Sequence, residues 1–204
     1  LHFRWDSFSV HFSSVGSKSI VDDLNILFIG DSITCEGARP KGFITKIESS
    51  LKCDLQIICR KGAKSAEIIK LLDSSSFQFE PTVIIAQSGI NDLITGCENS
   101  EVLSSQRLFL NTLVTKFPKS KIMFLPVHPI ITRDGLISKP PILPISNFYV
   151  WWKDATLFKM HFLMDDGVHL NAKGHTMLAK NIKNKIFLKN HNYTSSYNQI
   201  ERKH

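Results

Sequence analysis

No stretch of the 204-residue chain approaches the ~18–20 uninterrupted apolar residues that a helical membrane span requires, so no integral membrane segment is expected. The N-terminus, Leu1-His2-Phe3-Arg4-Trp5-Asp6, lacks the apolar region of a signal peptide, and the cytoplasm is favoured over secretion. The first residue is Leu1 and not methionine, which leaves a preceding segment open. Internal repeats and low-complexity tracts are absent, which excludes solenoids and long disordered linkers. Cysteine is scarce: the four residues Cys35, Cys53, Cys59 and Cys97 have neither metal-type nor disulfide-framework spacing. Cys53 and Cys59 flank a predicted strand that holds them ~20 Å apart, beyond any bridge. Cys35 and Cys97 follow loops at one edge of the expected sheet and are able to approach each other. Free thiols are the default expectation.

Acidic residues are also scarce, 18 against 25 Lys and Arg, for a formal charge of +7. This excess does not read as a nucleic-acid footprint. Most of it lies in residues 173–204, where seven Lys/Arg face Glu201 alone, and the aromatics are not interleaved with the lysines as strand-binding platforms require. A solvated helix face with a basic tail is the simpler account.

What is present suits a single globular domain: 43% hydrophobic and 21% charged residues, with enough chain to bury a core without metal or disulfide support. Short apolar runs alternate with segments of helical period, the pattern of a parallel sheet covered by helices. Strands are predicted at Leu24–Gly30, Asp54–Cys59, Thr82–Gln87, Lys121–Val127 and Leu157–Leu163. Helices are predicted at Lys41–Leu51, Ser65–Asp73, Ser100–Phe117, Ser146–Ala155 and Ala172–Leu188. In the last of these, Leu178, Ile182 and Ile186 recur every four residues and form one apolar stripe. Residues 1–23 show no period and read as an N-terminal extension; 24–189 form the domain and 190–204 a polar basic tail. Pro129, Pro140, Pro141 and Pro144 exclude a helix or central strand over 129–146, which reads as a long surface loop on the substrate side.

The run Asn25-Ile26-Leu27-Phe28-Ile29-Gly30-Asp31-Ser32-Ile33-Thr34 carries the clearest chemical signal. A buried strand stops abruptly and delivers Ser32 to a sharp turn, as nucleophiles are held in α/β proteins. Serine needs a base to take its proton and a third group to orient that base. In Asp165-Asp166-Gly167-Val168-His169-Leu170, ahead of the last helix, Asp166 is spaced to reach Nδ1 of His169 and leave Nε2 for Ser32. An oxyanion needs donors. Asn91 in Gln87-Ser88-Gly89-Ile90-Asn91-Asp92 and Gly62 in Arg60-Lys61-Gly62-Ala63 both follow apolar strands, at the edge where open parallel sheets bind ligands. The N–H of Ser32 is the third donor.

These ordered blocks resemble the SGNH hydrolases, also called the GDSL esterase/lipase family, over about residues 24–188. Gly30-Asp31-Ser32-Ile33-Thr34 is similar to the first family block, Gly62 to the second, Gly89-Ile90-Asn91-Asp92 to the third and Asp166-x-x-His169 to the fifth. The resemblance implies a three-layer α/β/α sandwich of flavodoxin-like type with a five-stranded parallel sheet. It implies hydrolysis of a carboxylic ester through an acyl-enzyme, without cofactor or metal. Ser32 is then the nucleophile, His169 the base, Asp166 its orienter, and Ser32, Gly62 and Asn91 the oxyanion hole. The second block departs from the family: Arg60 and Ser65 stand where Asn and Gly are common. Arg60, Lys61 and Lys64 would then give the pocket rim positive charge and favour an acidic or phosphate-bearing substrate.

The family form here resembles carbohydrate O-acetylesterases, and acetyl on a sugar is the expected substrate; no long apolar lid argues for a lipase. Lysophospholipase or thioesterase chemistry, acyl transfer to a sugar, and glycan binding without catalysis are the alternatives. Asp31, Arg60, His128 and Trp151 are expected to line the substrate. His128 follows the fourth strand, and Trp151 lies among Phe148, Tyr149 and Trp152, which stack on sugars or fill a core. His161, Asp165, Asp166, His169 and His175 match no metal-ligand pattern. The plainer readings are a helix N-cap for Ser32 and turn capping for Asn91 and Asp92. The four blocks taken together outweigh the first of these.

Overall fold

The computed structural model describes residues 8–12, 24–125, 127–130 and 161–187. Its centre is β2 (Asn25–Gly30), in which Ile26, Leu27, Phe28 and Ile29 are all fully buried. A strand covered on both faces must be apolar at every position, which is why this segment reads as a continuous run and not as an alternation. β4 (Val83–Gln87), and β3 (Asp54–Cys59) after its first residue, are likewise buried throughout, and they are apolar except at Gln87 and Gln56. With β5 (Lys121–Leu125), these four strands pair in parallel in the order β3-β2-β4-β5.

The fifth strand is not the one expected. β1 (Phe8–Phe12) joins the outer side of β3 and runs antiparallel to it, from Phe8 opposite Cys59 to Phe12 opposite Leu55. The N-terminal segment read as an extension thus supplies a sheet edge. At Leu157–Leu163, His161 and Phe162 are helical and Leu163 makes only an isolated antiparallel bridge to Leu170. The remainder of that segment, the helix expected at Ser146–Ala155, most of the proline-rich loop and the basic tail lie outside the described residues.

Side chains alternate across the pleat and divide the interior into two clusters. Ile26 and Phe28 pack with α1 (Ser32–Gly37), α2 (Phe43–Glu48) and α6 (Ala172–Phe187), to which Leu178 and Ile182 contribute fully. Leu27 and Ile29 face α3 (Ser65–Ser74) and α5 (Asn99–Lys116) on the other side. Helices on both faces of the sheet make the three layers. The short helices α1 and α4 (Ile90–Ile94) were not foreseen, because five or six residues show too little period to read. Strand order reverses about β2: the chain passes to β3 on one side and then returns across β2 to β4 on the other. The loops after β2 and β4 therefore diverge, opening the crevice in which doubly wound sheets hold ligands.

Candidate active site

Ser32 is the first residue of α1 and is 7% exposed. Asp31 caps this helix, its Oδ1 accepting from the backbone N–H of Ile33 at 2.9 Å. Asp31 is itself fully buried and its Oδ2 has no partner among the described residues. Burial first, with the charge of Asp92 adding to it and the Ile33 N–H opposing it, pushes its pKa up to about 7. The expectation that Asp31 touches substrate gives way: its carboxyl points into the fold and holds the turn that presents Ser32.

The base comes from the segment ahead of α6, in a turn built from its own polar groups. Gly167 sits at φ +70°, the left-handed conformation that reverses the chain here at least cost to a residue without Cβ. Asp166 Oδ1 accepts from the N–H groups of both Val168 and His169, each at 2.9 Å. Its Oδ2 accepts from His169 Nδ1 at 2.7 Å. Partial burial works to raise the Asp166 pKa, but the two backbone donors and the imidazole outweigh it and the net direction is down. An ionised carboxylate only accepts, so the imidazole proton resides on Nδ1 and Nε2 carries the lone pair. That Nε2 lies 3.0 Å from Ser32 Oγ and is placed to accept its proton.

The loops that carry Gly62 and Asn91 are joined to each other. Gly62 has φ +71°, and open space surrounds the position a Cβ would take. The reason for glycine here is thus backbone conformation and not crowding. Asn91 Nδ2 donates to the Ala63 carbonyl at 2.9 Å, and among the described residues its second amide hydrogen has no partner. Asp92, read as a turn cap, does more. Its Oδ2 accepts from the N–H and the hydroxyl of Ser65 at 3.0 and 3.1 Å, stitching the start of α3 to α4 and bringing the two donor loops together. Ser65 was not foreseen in this part, because nothing local marks a contact across 27 residues.

The cysteines differ from expectation. Cys35, one turn beyond Ser32, is disulfide-bonded to Cys59, the last residue of β3, with Cα atoms 5.5 Å apart. β2 and β3 are neighbours with Gly30 opposite Cys59, so the first turn of α1 lies over the end of β3. Cys97 does not pair with Cys35 and, like the buried Cys53, is free.

Two of the three expected rim cations, Arg60 and Lys61, are ion-paired. Lys61 Nζ lies 2.8 Å from Glu36, which also pairs with Arg39, and Arg60 lies 3.6 Å from Glu67. This weakens the expectation of an acidic substrate. His128 is 4% exposed, and its Nε2 donates to the Val168 carbonyl at 2.7 Å, so it does not face substrate. Trp151 lies outside the described residues.

No family model and no curated protein matches the chain. Solved structures do. A member of the lipolytic protein G-D-S-L family from Veillonella parvula superposes with TM-score 0.61 at 17% identity, covering 82% of this chain and 100% of the other. The acetyl xylan esterase AlAXEase gives TM-score 0.59 at 18% identity, covering 80% and 100%. A lipase/acylhydrolase from Enterococcus faecalis gives 0.59 at 16%, covering 80% and 95%. The chain shares their α/β fold with its parallel sheet.

Proposed function

We propose that this chain is a serine ester hydrolase of the SGNH, or GDSL, family. The observation that carries the reading is the hydrogen-bonded series Ser32 Oγ–His169 Nε2, 3.0 Å, and His169 Nδ1–Asp166 Oδ2, 2.7 Å, on a fold shared with esterases and lipases. Ser32 Oγ attacks the ester carbonyl while His169 takes its proton, and Asp166 stabilises the imidazolium without itself being protonated. The tetrahedral oxyanion is held by the N–H groups of Ser32 and Gly62 and by Asn91 Nδ2. Collapse expels the alcohol, which takes its proton from His169. Water, deprotonated by the same imidazole, then attacks the acyl-serine and releases the acid.

For the substrate, the reading is a small acyl group, acetyl, on a carbohydrate. The likeness to AlAXEase supports it, and the ion-paired Arg60 and Lys61 speak against an acidic one. The test joins three measurements: fluorophosphonate labelling with peptide mapping, turnover of p-nitrophenyl esters from acetate to long chains, and acetate release from acetylated xylan. A single adduct on Ser32 and activity falling with chain length support the reading. Preference for long acyl chains would replace the substrate class, and product appearing only with an acceptor sugar would make the enzyme a transferase. Neither adduct nor turnover in folded protein would leave a glycan-binding module.

A further inference from the structure

The turn that carries the base, residues 164–170, is held mostly by itself. Met164 N–H donates to the His169 carbonyl, Gly167 N–H to the Met164 carbonyl, and Asp166 serves Val168 and His169. Among the described residues, two hydrogen bonds tie it to elements outside the 161–171 segment. One is the contact of His169 with Ser32. The other comes from His128, 40 residues earlier and just past the end of β5, to the Val168 carbonyl at 2.7 Å.

The Val168 carbonyl and the His169 N–H belong to one planar peptide unit. His128 grips the oxygen end of that plane and Asp166 Oδ1 the nitrogen end, at 2.7 and 2.9 Å. A peptide held at both ends cannot rotate, and it fixes the Cα from which the His169 imidazole projects. The same bonds form a polar relay: the His128 N–H polarises the carbonyl, which strengthens the N–H donation to Asp166, whose other oxygen orients His169.

We infer that His128 is a positioning residue for the proposed catalytic base, acting through the Val168–His169 peptide and not by contact with substrate. A carbonyl only accepts, so His128 must carry its proton on Nε2. Burial foremost, with the adjacent His169 adding to it against the Val168 carbonyl and Asp166, lowers its pKa to about 4. The ring therefore stays neutral over the range in which a histidine base works, and no second buried charge stands behind His169.

The inference rests on the esterase reading for its kinetic consequence but is testable without it. His128→Gln keeps a donor at the ε position; His128→Phe keeps an aromatic ring without one. The expected result is a fall in kcat of about tenfold in H128F with KM nearly unchanged, slower fluorophosphonate labelling, and most of kcat restored in H128Q. Equal impairment of both variants, loss confined to KM, or wild-type kcat in H128F would overturn it. Proton NMR of the downfield His169 Nδ1–H signal decides independently of activity: loss or broadening in H128F and retention in H128Q supports the inference, retention in both overturns it. If wild type neither labels nor turns over, the esterase reading fails and this signal alone decides the structural claim. If H128F does not fold, the nitrogen-15 ring shifts of wild-type His128 serve instead: an Nε2–H tautomer supports the inference and an Nδ1–H tautomer overturns it.

Discussion

The two arms of the candidate site are built on different principles. Ser32 is delivered by the central strand of the sheet, behind four fully buried side chains, with Asp31 sealed beneath and the Cys35–Cys59 bridge beside it. His169 and Asp166 sit in a short turn, with side chains 29% and 47% exposed, positioned by hydrogen bonds within it and by His128. The nucleophile arm is thus set by the central strand of the core, whereas the base arm, anchored in the core at Leu163 and Leu170, is oriented by a few polar atoms. Changes on the first are expected to register as stability, and changes on the second as activity with little loss of fold.

The largest effect is expected at Asp166. Asp166→Asn retains an oxygen for the two backbone N–H groups, but its amide no longer imposes the Nδ1–H tautomer on His169. Turnover of p-nitrophenyl acetate should fall roughly 10⁴-fold, while thermal unfolding shifts little. A large loss of stability with it would break the comparison. On the other arm, Phe28→Ala empties a fully buried site and should cost about 3–5 kcal/mol in urea unfolding, with kcat near wild type in the protein that remains folded. Opening the Cys35–Cys59 loop, which spans 24 residues, by reduction or by Cys35→Ala with Cys59→Ala should cost about 3 kcal/mol on the chain-entropy account. Peptide mapping without reductant should recover that linkage, with Cys53 and Cys97 free.

The smallest effect sharpens the comparison through pH. Folded Asp31 keeps its proton up to about pH 7, while the unfolded chain releases it near the ordinary carboxylate value of 3.8. Between these values the folded state binds more protons, so this group's contribution to stability falls as pH rises, by at most about 1.4 kcal/mol per pH unit. His128 acts with the opposite sign. Its folded pKa is lowered from 6.5 to about 4, so its contribution is fully present above 6.5 and is lost as pH falls toward 4. The net slope of the wild type mixes these two with other shifted groups, among them Asp166, Glu48 and His175, and the difference from Asp31→Asn isolates the first. That variant retains the cap oxygen and should gain stability over wild type progressively from pH 4 to 7. A constant difference in denaturant midpoints across that range would contradict a buried, protonated Asp31.

The residues brought together at the site were legible from the chain because each stands in a local pattern. Ser32 ends an apolar run, Gly62 and Asn91 follow two others, and Asp166 is within one turn of His169. Four of the five predicted strands, and the stripe of Leu178 and Ile182, were readable for the same reason: burial on both faces or on one helical stripe writes a period into neighbouring residues. Trp151 and the helix expected around it lie outside the described residues.

What the sequence by itself determined is the set of elements and the chemistry at their ends, since turn geometry and apolar periodicity act over a few residues. Tertiary structure alone decided which elements are neighbours. It put an antiparallel strand from residues 8–12 beside β3, closed Cys35 onto Cys59, carried Ser65 to Asp92, and turned Asp31 and His128 inward to hold the turns that present Ser32 and His169. Those contacts span many residues or depend on which side of a wall a polar group falls. The energy that selects them is shared across a buried core, and no local pattern records it.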